Sequence, residues 1–464
     1  MRARLLLLAA ALAAFGGSLV AGFHLDDYAI FPDPLPSPLR WPHPLTQFTF
    51  WLNYRLGGQE PLGYHAFNLL LHLCAVLLAY ECFRRLLPPT AATVAAAIFA
   101  VHPLQAEAVD YVAARGVMLA ALLCFAALLA WIEGQPWLAV AAFAAGLLAD
   151  ERCALFPVIL LAVHGRSLTG TSPEAETWPS APLRGGWNQR LTALALTFAL
   201  AIAAVARTPI ARYVLALAIL RFLRLFLVPW GFTVDPEVRE PLWLAVTAAI
   251  AIAAAAVWRW RKPIRVHSEV TWLLAGLLLL IPSFSANPAA DPRMYLPLFA
   301  FAAAAGLLLA RIPARPVTLA LVVVLAAVSV SRTYVWMSDE RLWREAVRRA
   351  PDQVEPKIQL AKSVRAAEAL ELLNRARQQA PYNPEIPAEI GKVLLDERQF
   401  DGAVDELSRA VALNPKNALA FNNRGVALAA LGQSTAAVMD FEHALVLDSG
   451  LSEARENLKR LGVR

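Results

Sequence analysis

From Arg4 to about Ser331 the chain is a succession of apolar runs, roughly 15–22 residues long, closed off by charges or prolines. A helix needs about 20 such residues to span a bilayer, and fewer where the protein thins it. The pattern predicts eleven spans, at about 4–22, 64–83, 91–108, 116–132, 136–149, 153–165, 191–206, 241–258, 270–286, 294–310 and 316–333. The expected fold class is an all-α polytopic membrane helical bundle over 1–337.

From Ser338 on the pattern changes to a 34-residue period. Gly391 recurs as Gly425, Ala403 as Ala437, Leu407 as Phe441, Ala410 as Ala444 and Pro381 as Pro415. This is the tetratricopeptide (TPR) period, with small residues where paired helices touch and Pro or Asn at the turns. Two repeats are expected at 384–417 and 418–451. Residues 350–383 form a degenerate third, matched at Ala369, Leu373 and Ala376 but lacking the glycine. The stretch 451–461 reads as a polar capping helix. An α-solenoid of TPR repeats over 338–464 is thus expected after the bundle.

Composition agrees with a membrane chain. Of 464 residues, 58% are hydrophobic and 17% charged, and mean hydropathy is +0.50, whereas soluble domains carry about 25% charge. Residues 1–337 hold 24 Lys+Arg against 17 Asp+Glu, and the rest hold 18 against 19. The basic excess therefore sits in the membrane part and reads as topology, and no nucleic-acid partner is expected. Arg2/Arg4, Arg84/Arg85, Arg166/Arg184/Arg190, Trp258–Lys262 and Arg311/Arg315 fall on one side of the predicted spans. By the positive-inside rule that side is cytoplasmic, which puts Asp26/Asp27, the 23–63 loop and the TPR tail outside. Residues 1–22 also read as a cleavable signal peptide, and cleavage would leave this sidedness unchanged. Residues 211–230 are long enough to span but carry Arg221 and Arg224, so they are placed along the outer interface. Cys74, Cys82, Cys124 and Cys153 all fall in or at the ends of apolar runs with no CxxC spacing, and read as small hydrophobes rather than a metal or disulfide framework.

Candidate chemistry gathers on the outer face. Asp26 and Asp27 leave the first apolar run, where a solvated helix-stop pair is the plain alternative. In His43–Gly58 the positions Phe48, Trp51, Leu52 and Leu56 suit an amphipathic helix on the membrane surface. Asn68 and His72 share a face of the second span, as a polar site or as helix–helix glue. The third span ends with His102, Glu107, Asp110 and Arg115, and no HxH or HxxxH spacing supports a metal there. Asp150, Glu151 and Arg152 crowd one short turn, and Arg293 stands just above another span, where a guanidinium could grip a phosphate.

The stretches "DDYAI", "HPLTQFTFWLNYRLGG" with "PLGYHAFNLLLH", "FAVHPLQAEAV", "LLADERCALFP" and "RMYLP", in this order and followed by TPRs, resemble the transmembrane and tetratricopeptide-repeat O-mannosyltransferases (TMTC-like) and their bacterial relatives, which are GT-C-type glycosyltransferases. The resemblance implies transfer of a sugar, typically mannose, from a polyprenyl-phosphate carrier to Ser or Thr hydroxyls outside the cytoplasm. It implies a catalytic acid in the first outer loop, so Asp26 and Asp27 are the catalytic candidates. Donor phosphate-binding candidates are Arg293, Arg221, Arg224 and Arg152; a supporting polar site would comprise His43, Asn68, His72, His102, Glu107, Arg115 and Glu151. His43 stands where the family has Arg, and Asp150-Glu151 where it has Lys-Glu.

The expected partners are the lipid bilayer, a lipid-linked sugar donor and an acceptor protein held by the TPR groove. The expected setting is a bacterial inner membrane with the TPR tail extracytoplasmic. No cofactor is implied beyond the polyprenyl-phosphate-linked sugar, and a divalent metal has no spacing to support it. The competing readings are a non-catalytic membrane-anchored TPR scaffold for an envelope complex, and a flippase or ligase of lipid-linked glycans.

Overall fold

The computed structural model describes residues 1–24, 27, 30, 43–166, 187–205, 215–229, 231–232, 268–280, 291–313 and 315–463. Asp26, the apolar run at 241–258 and Trp258–Lys262 lie outside them. Every element among the described residues is helical, and they fall into two compact units that meet in the chain after Ser338.

The first unit contains α1 (Arg2–Phe15), α2 (Pro44–Gly57), α3 (Pro61–Leu86), α4 (Pro89–Val101), α5 (Ala106–Asp110), α6 (Arg115–Ile132), α7 (Pro136–Ala149), α8 (Pro157–Arg166), α9 (Trp187–Val205), α10 (Leu215–Leu227), α11 (Glu269–Leu280), α12 (Tyr295–Leu309) and α13 (Arg315–Trp336). Its centre is α12, which is apolar all round and buried on every side from Tyr295 to Ala304. Against it pack α4, α6 and α11. In lipid the hydrophobic effect does not drive helices together, so close backbone approach does the work. Gly306 provides it: a Cβ there would stand 2.5 Å from Ala91 O and 2.9 Å from Ala95 Cβ. Rings fill the rest, with Phe83 and Phe299 stacked at 4.3 Å and Phe125 at 4.7 Å from Phe299. By contrast, Val317, Leu319, Val323 and Val324 of α13 are more than half exposed and apolar, as suits a lipid-facing surface.

Among the described residues four helices are long and apolar enough to cross a bilayer, and α4 with α5 makes a fifth if taken as one bent span. The helices α7, α9, α11 and α12 are apolar but shorter. The third expected span is not straight: it bends by 46° between Val101 and Pro103. Pro103 is the cause, having no N–H to continue the ladder. The carbonyls freed by the break are satisfied from the side, Phe99 O by Gln105 Nε2 (3.3 Å), Ala100 O by His72 Nε2 (3.1 Å) and Val101 O by Ser329 Oγ (2.6 Å). One end of this unit is stapled by ion pairs: Glu81 takes Arg4, Arg84 and Arg85, Arg85 also takes Glu133, and Arg311 takes Glu269. The opposite helix ends carry the candidate site.

The second unit contains α14 (Asp339–Arg349), α15 (Glu355–Ala361), α16 (Ala366–Gln379), α17 (Glu385–Asp396), α18 (Phe400–Leu413), α19 (Ala418–Ala430), α20 (Ser434–Leu447) and α21 (Ser452–Arg460). The repeat glycines sit where paired helices touch: a Cβ on Gly391 would meet Leu407 Cγ at 2.5 Å, and one on Gly425 would meet Phe441 Cε1 at 2.7 Å. In the degenerate repeat the same place holds Lys357, 4% exposed. Its Nζ donates to Pro351 O (2.5 Å), Gln353 O (2.6 Å) and Gln379 Oε1 (2.7 Å), which satisfies a buried ammonium. The polar cap α21 is tied on by Asn457 Nδ2 donating to Asn422 Oδ1 (3.1 Å).

Candidate functional site

Arg115 is the hub of the polar helix ends. It opens α6, is fully buried, and donates to Asn68 Oδ1 (2.8 Å), Asn53 Oδ1 (2.6 Å), Thr49 Oγ1 (3.4 Å) and Tyr64 O (3.0 Å). Its guanidinium lies 4.4 Å from the Phe50 ring centre and 4.6 Å from that of Phe67. With its donors spent on α2 and α3, Arg115 fastens the amphipathic helix to the bundle. Asn68 completes the tie by donating to Tyr111 O at 3.3 Å. Thr46, Thr49 and Asn53 were not singled out in the sequence, although their 3, 7 spacing marks one polar face of α2. Thr46 Oγ1 donates to Ala149 O at 2.8 Å, which holds the same helix on the turn after α7.

That turn carries the densest charge. Arg152 forks Asp150, with Nε 2.8 Å from Oδ1 and Nη2 2.5 Å from Oδ2, and His43 Nε2 meets Glu151 Oε2 at 2.5 Å. The bond to Glu151 raises the His43 pKa, and the same bond lowers that of Glu151. Burial alone would raise Asp150, but the Arg152 charge and fork hold its carboxyl below the usual range. Ligand atoms of His43, Asp150 and Glu151 lie within 4.8 Å of one another and could hold a divalent cation. Arg152 and His43 already compensate the two carboxylates from within the protein.

Next to the turn is a small, partly open cleft. Asp150, Arg152 and Arg293 line its polar side; Val117, Ala120, Ala121, Leu279, Leu296 and Pro297 line the apolar side. Arg293 is 7% exposed. Burial, and then the charge of Arg152, depress its pKa to about 10, while Glu107 and Asp150 oppose the shift. With Asp150 forked by Arg152, the cleft sets two guanidiniums and one carboxylate against an apolar wall, a lining of net positive charge that could meet an anion.

Asp27 is not among the residues lining that cleft. It is fully buried and clamps its loop: Oδ2 accepts His24 N–H (3.0 Å), Oδ1 accepts Ala113 N–H (2.7 Å), and its own N–H reaches His24 O (2.9 Å). Burial raises its pKa to about 7 against these backbone bonds. One short stretch links the two places, since the charge of Glu107 acts on Arg293 and Ala113 holds Asp27.

The remaining candidates take other positions. His72 serves the α4 break and meets Tyr295 Oη at 2.8 Å, a partner that sequence spacing could not reveal. His102 accepts Leu104 N–H (3.2 Å), bonds Phe226 O (3.2 Å) and stacks on the Phe226 ring. On α10, Arg221 is buried and Arg224 exposed, and neither lines the cleft.

The comparisons with known proteins divide the chain in the same way. Residues 38–172 match the family described as dolichyl-phosphate-mannose-protein mannosyltransferase, and 391–432 match the TPR repeat. The protein O-mannosyl-transferase Tmtc1 of Drosophila melanogaster is 44% identical over 91 residues, covering 19% of this chain and 10% of that one. Over this stretch the chain resembles the TMTC proteins. Human protein O-mannosyl-transferase TMTC1 is 36% identical over 152 residues, 27% of this chain and 17% of its own. Both TMTC matches thus span less than a fifth of the relative's length. Among solved structures, the first TPR of Spaghetti (RPAP3) bound to an HSP90 peptide is 28% identical with a TM-score of 0.23, over 23% of this chain and 86% of that one.

Proposed function

We propose that this protein is a membrane glycosyltransferase that moves a sugar, mannose by analogy with its relatives, from a polyprenyl-phosphate carrier to Ser or Thr hydroxyls on the extracytoplasmic side. The observation that carries the reading is the cleft, with two guanidiniums against an apolar wall. An amphiphile with an anionic head and a hydrocarbon tail matches the chemistry of its two sides. Arg293 and Arg152 would hold the phosphate and take up the charge that grows on it as the C1–O bond breaks. The acceptor oxygen would attack C1 from the opposite side, inverting it, while a carboxylate of the Asp26/Asp27 pair takes the hydroxyl proton. A group titrating near 7 is well matched to that task, which supports Asp27; its two backbone bonds leave only the remaining lone pairs for a substrate. The TPR unit would present the acceptor polypeptide.

The test is transfer by membranes containing the protein, with a panel of polyprenyl-phosphate sugars and Ser/Thr peptides. At least one of Asp26→Asn and Asp27→Asn should lose about 10²–10⁴-fold in rate with expression intact. Arg293→Ala should impair donor use more than Arg293→Lys. Full activity in both aspartate variants ends the catalytic assignment, and no transfer from any donor leaves a TPR scaffold.

A further inference from the structure

Several polar atoms of the first unit are buried without a hydrogen-bond partner, and four of them cluster. Asp110 at the end of α5 is fully buried, and neither carboxylate oxygen has a partner. Thr333 and the charge of Arg332, both on α13, act on it, and Thr333 Oγ1 also donates to Ala14 O at 3.4 Å. Trp336, three residues on and fully buried, has an unpartnered Nε1–H. Its ring stacks on Tyr111, the residue after Asp110, at 5.7 Å, and meets the His24 ring edge-on at 6.1 Å. Ser18, also fully buried, has an unpartnered hydroxyl. The adjacent Gly17 approaches Thr333 so closely that a Cβ there would stand 3.1 Å from its methyl.

Unpartnered buried acceptors and donors cost free energy unless something completes them, and these are brought near one another through Thr333, Tyr111 and Gly17. Here the set comprises two carboxylate oxygens that accept, an indole N–H that donates, a hydroxyl that does either, and a stacked aromatic pair. That combination suits a polyhydroxylated ring, whose O–H groups find acceptors while its C–H faces meet aromatic carbon. The cluster adjoins Asp27, because the backbone N–H of His24 is one of its two clamps. We propose that Asp110, Trp336 and Ser18 form the subsite for the hydroxyl groups of the transferred sugar, an inference that rests on the glycosyltransferase reading above.

The experiment is equilibrium binding to the full-length protein in lipid nanodiscs. It compares a polyprenyl-phosphate sugar with the same polyprenyl phosphate lacking the sugar. Wild type should prefer the sugar-bearing lipid. Asp110→Asn should lose roughly ten- to a hundred-fold of that preference, and Trp336→Phe about five-fold. Binding of the bare carrier should hold in both variants; Asp110→Asn keeps the shape of the buried group and should leave the melting temperature nearly unchanged, while Trp336→Phe should lower it moderately through the space its smaller ring leaves. If wild type prefers the sugar and both variants keep that preference, the cluster holds buried water only and the inference fails alone. If wild type shows no preference for any sugar tested, the glycosyltransferase reading fails with it. Should Asp110→Asn not fold, Trp336→Phe decides the matter.

Discussion

Asp27 is asked to do two opposed things. Its carboxylate clamps a loop through two backbone N–H groups, while burial makes the charged form costly and lifts the pKa to about 7. Because the folded-state value is raised, the stability it contributes is complete below its ordinary value of 3.8. That stability is lost as pH rises through about 7, with a ceiling of about 4 kcal/mol. Wild type should therefore lose melting temperature relative to Asp27→Asn between pH 4.5 and 7.5, and parallel melting curves across that range would contradict this. Any catalytic use of the same carboxylate runs the other way, since its ability to accept a proton grows over the same interval.

Among the helices, the repeats show what a 34-residue register demands and where it is broken. Arg398, between α17 and α18, has φ 58°, and Gly432 one period later has φ 78°. The left-handed region costs a residue with a Cβ about 1–2 kcal/mol, against roughly 0.5–1 of added chain entropy for glycine. Arg398→Gly should raise the stability of the full-length protein by about 0.5–1 kcal/mol in denaturant titration; a loss would show that Arg398 makes a contact worth more than its strain. The glycines of these repeats were legible because one period repeats them, whereas the buried Lys357 was not, because its partners Pro351, Gln353 and Gln379 lie elsewhere in the repeat. The same contrast holds in the bundle. Apolar runs mark helices and a run of charges marks the turn at Asp150, but the break at Pro103 lies unread inside one apolar run that reads as a single span at 91–108. That Asn68 and His72 serve a guanidinium and a freed carbonyl depends on α6 and α4, far away in sequence. Asp110 read as one more charge at a span end because Trp336 lies 226 residues later.

For the whole molecule the open matter is sidedness, on which the proposed reaction depends. Eleven spans with the amino terminus inside would put the TPR unit in the compartment of the Asp26/Asp27 loop, and removing the first segment would not alter this. Cysteines placed at Ser37 and at Gly462 should be modified by an impermeant reagent from the same side of sealed membranes. Modification from opposite sides would leave the repeats unable to present an acceptor to the loop. The seam between α4 and α12 bears on how such a protein can change over generations. Every one-base change in a glycine codon that alters the residue adds at least one carbon, and at Gly306 that carbon meets the backbone oxygen of Ala91, which no rotamer can move aside. Drift at this position therefore has no neutral first step, and any lineage that departs from glycine must first have moved the helix opposite.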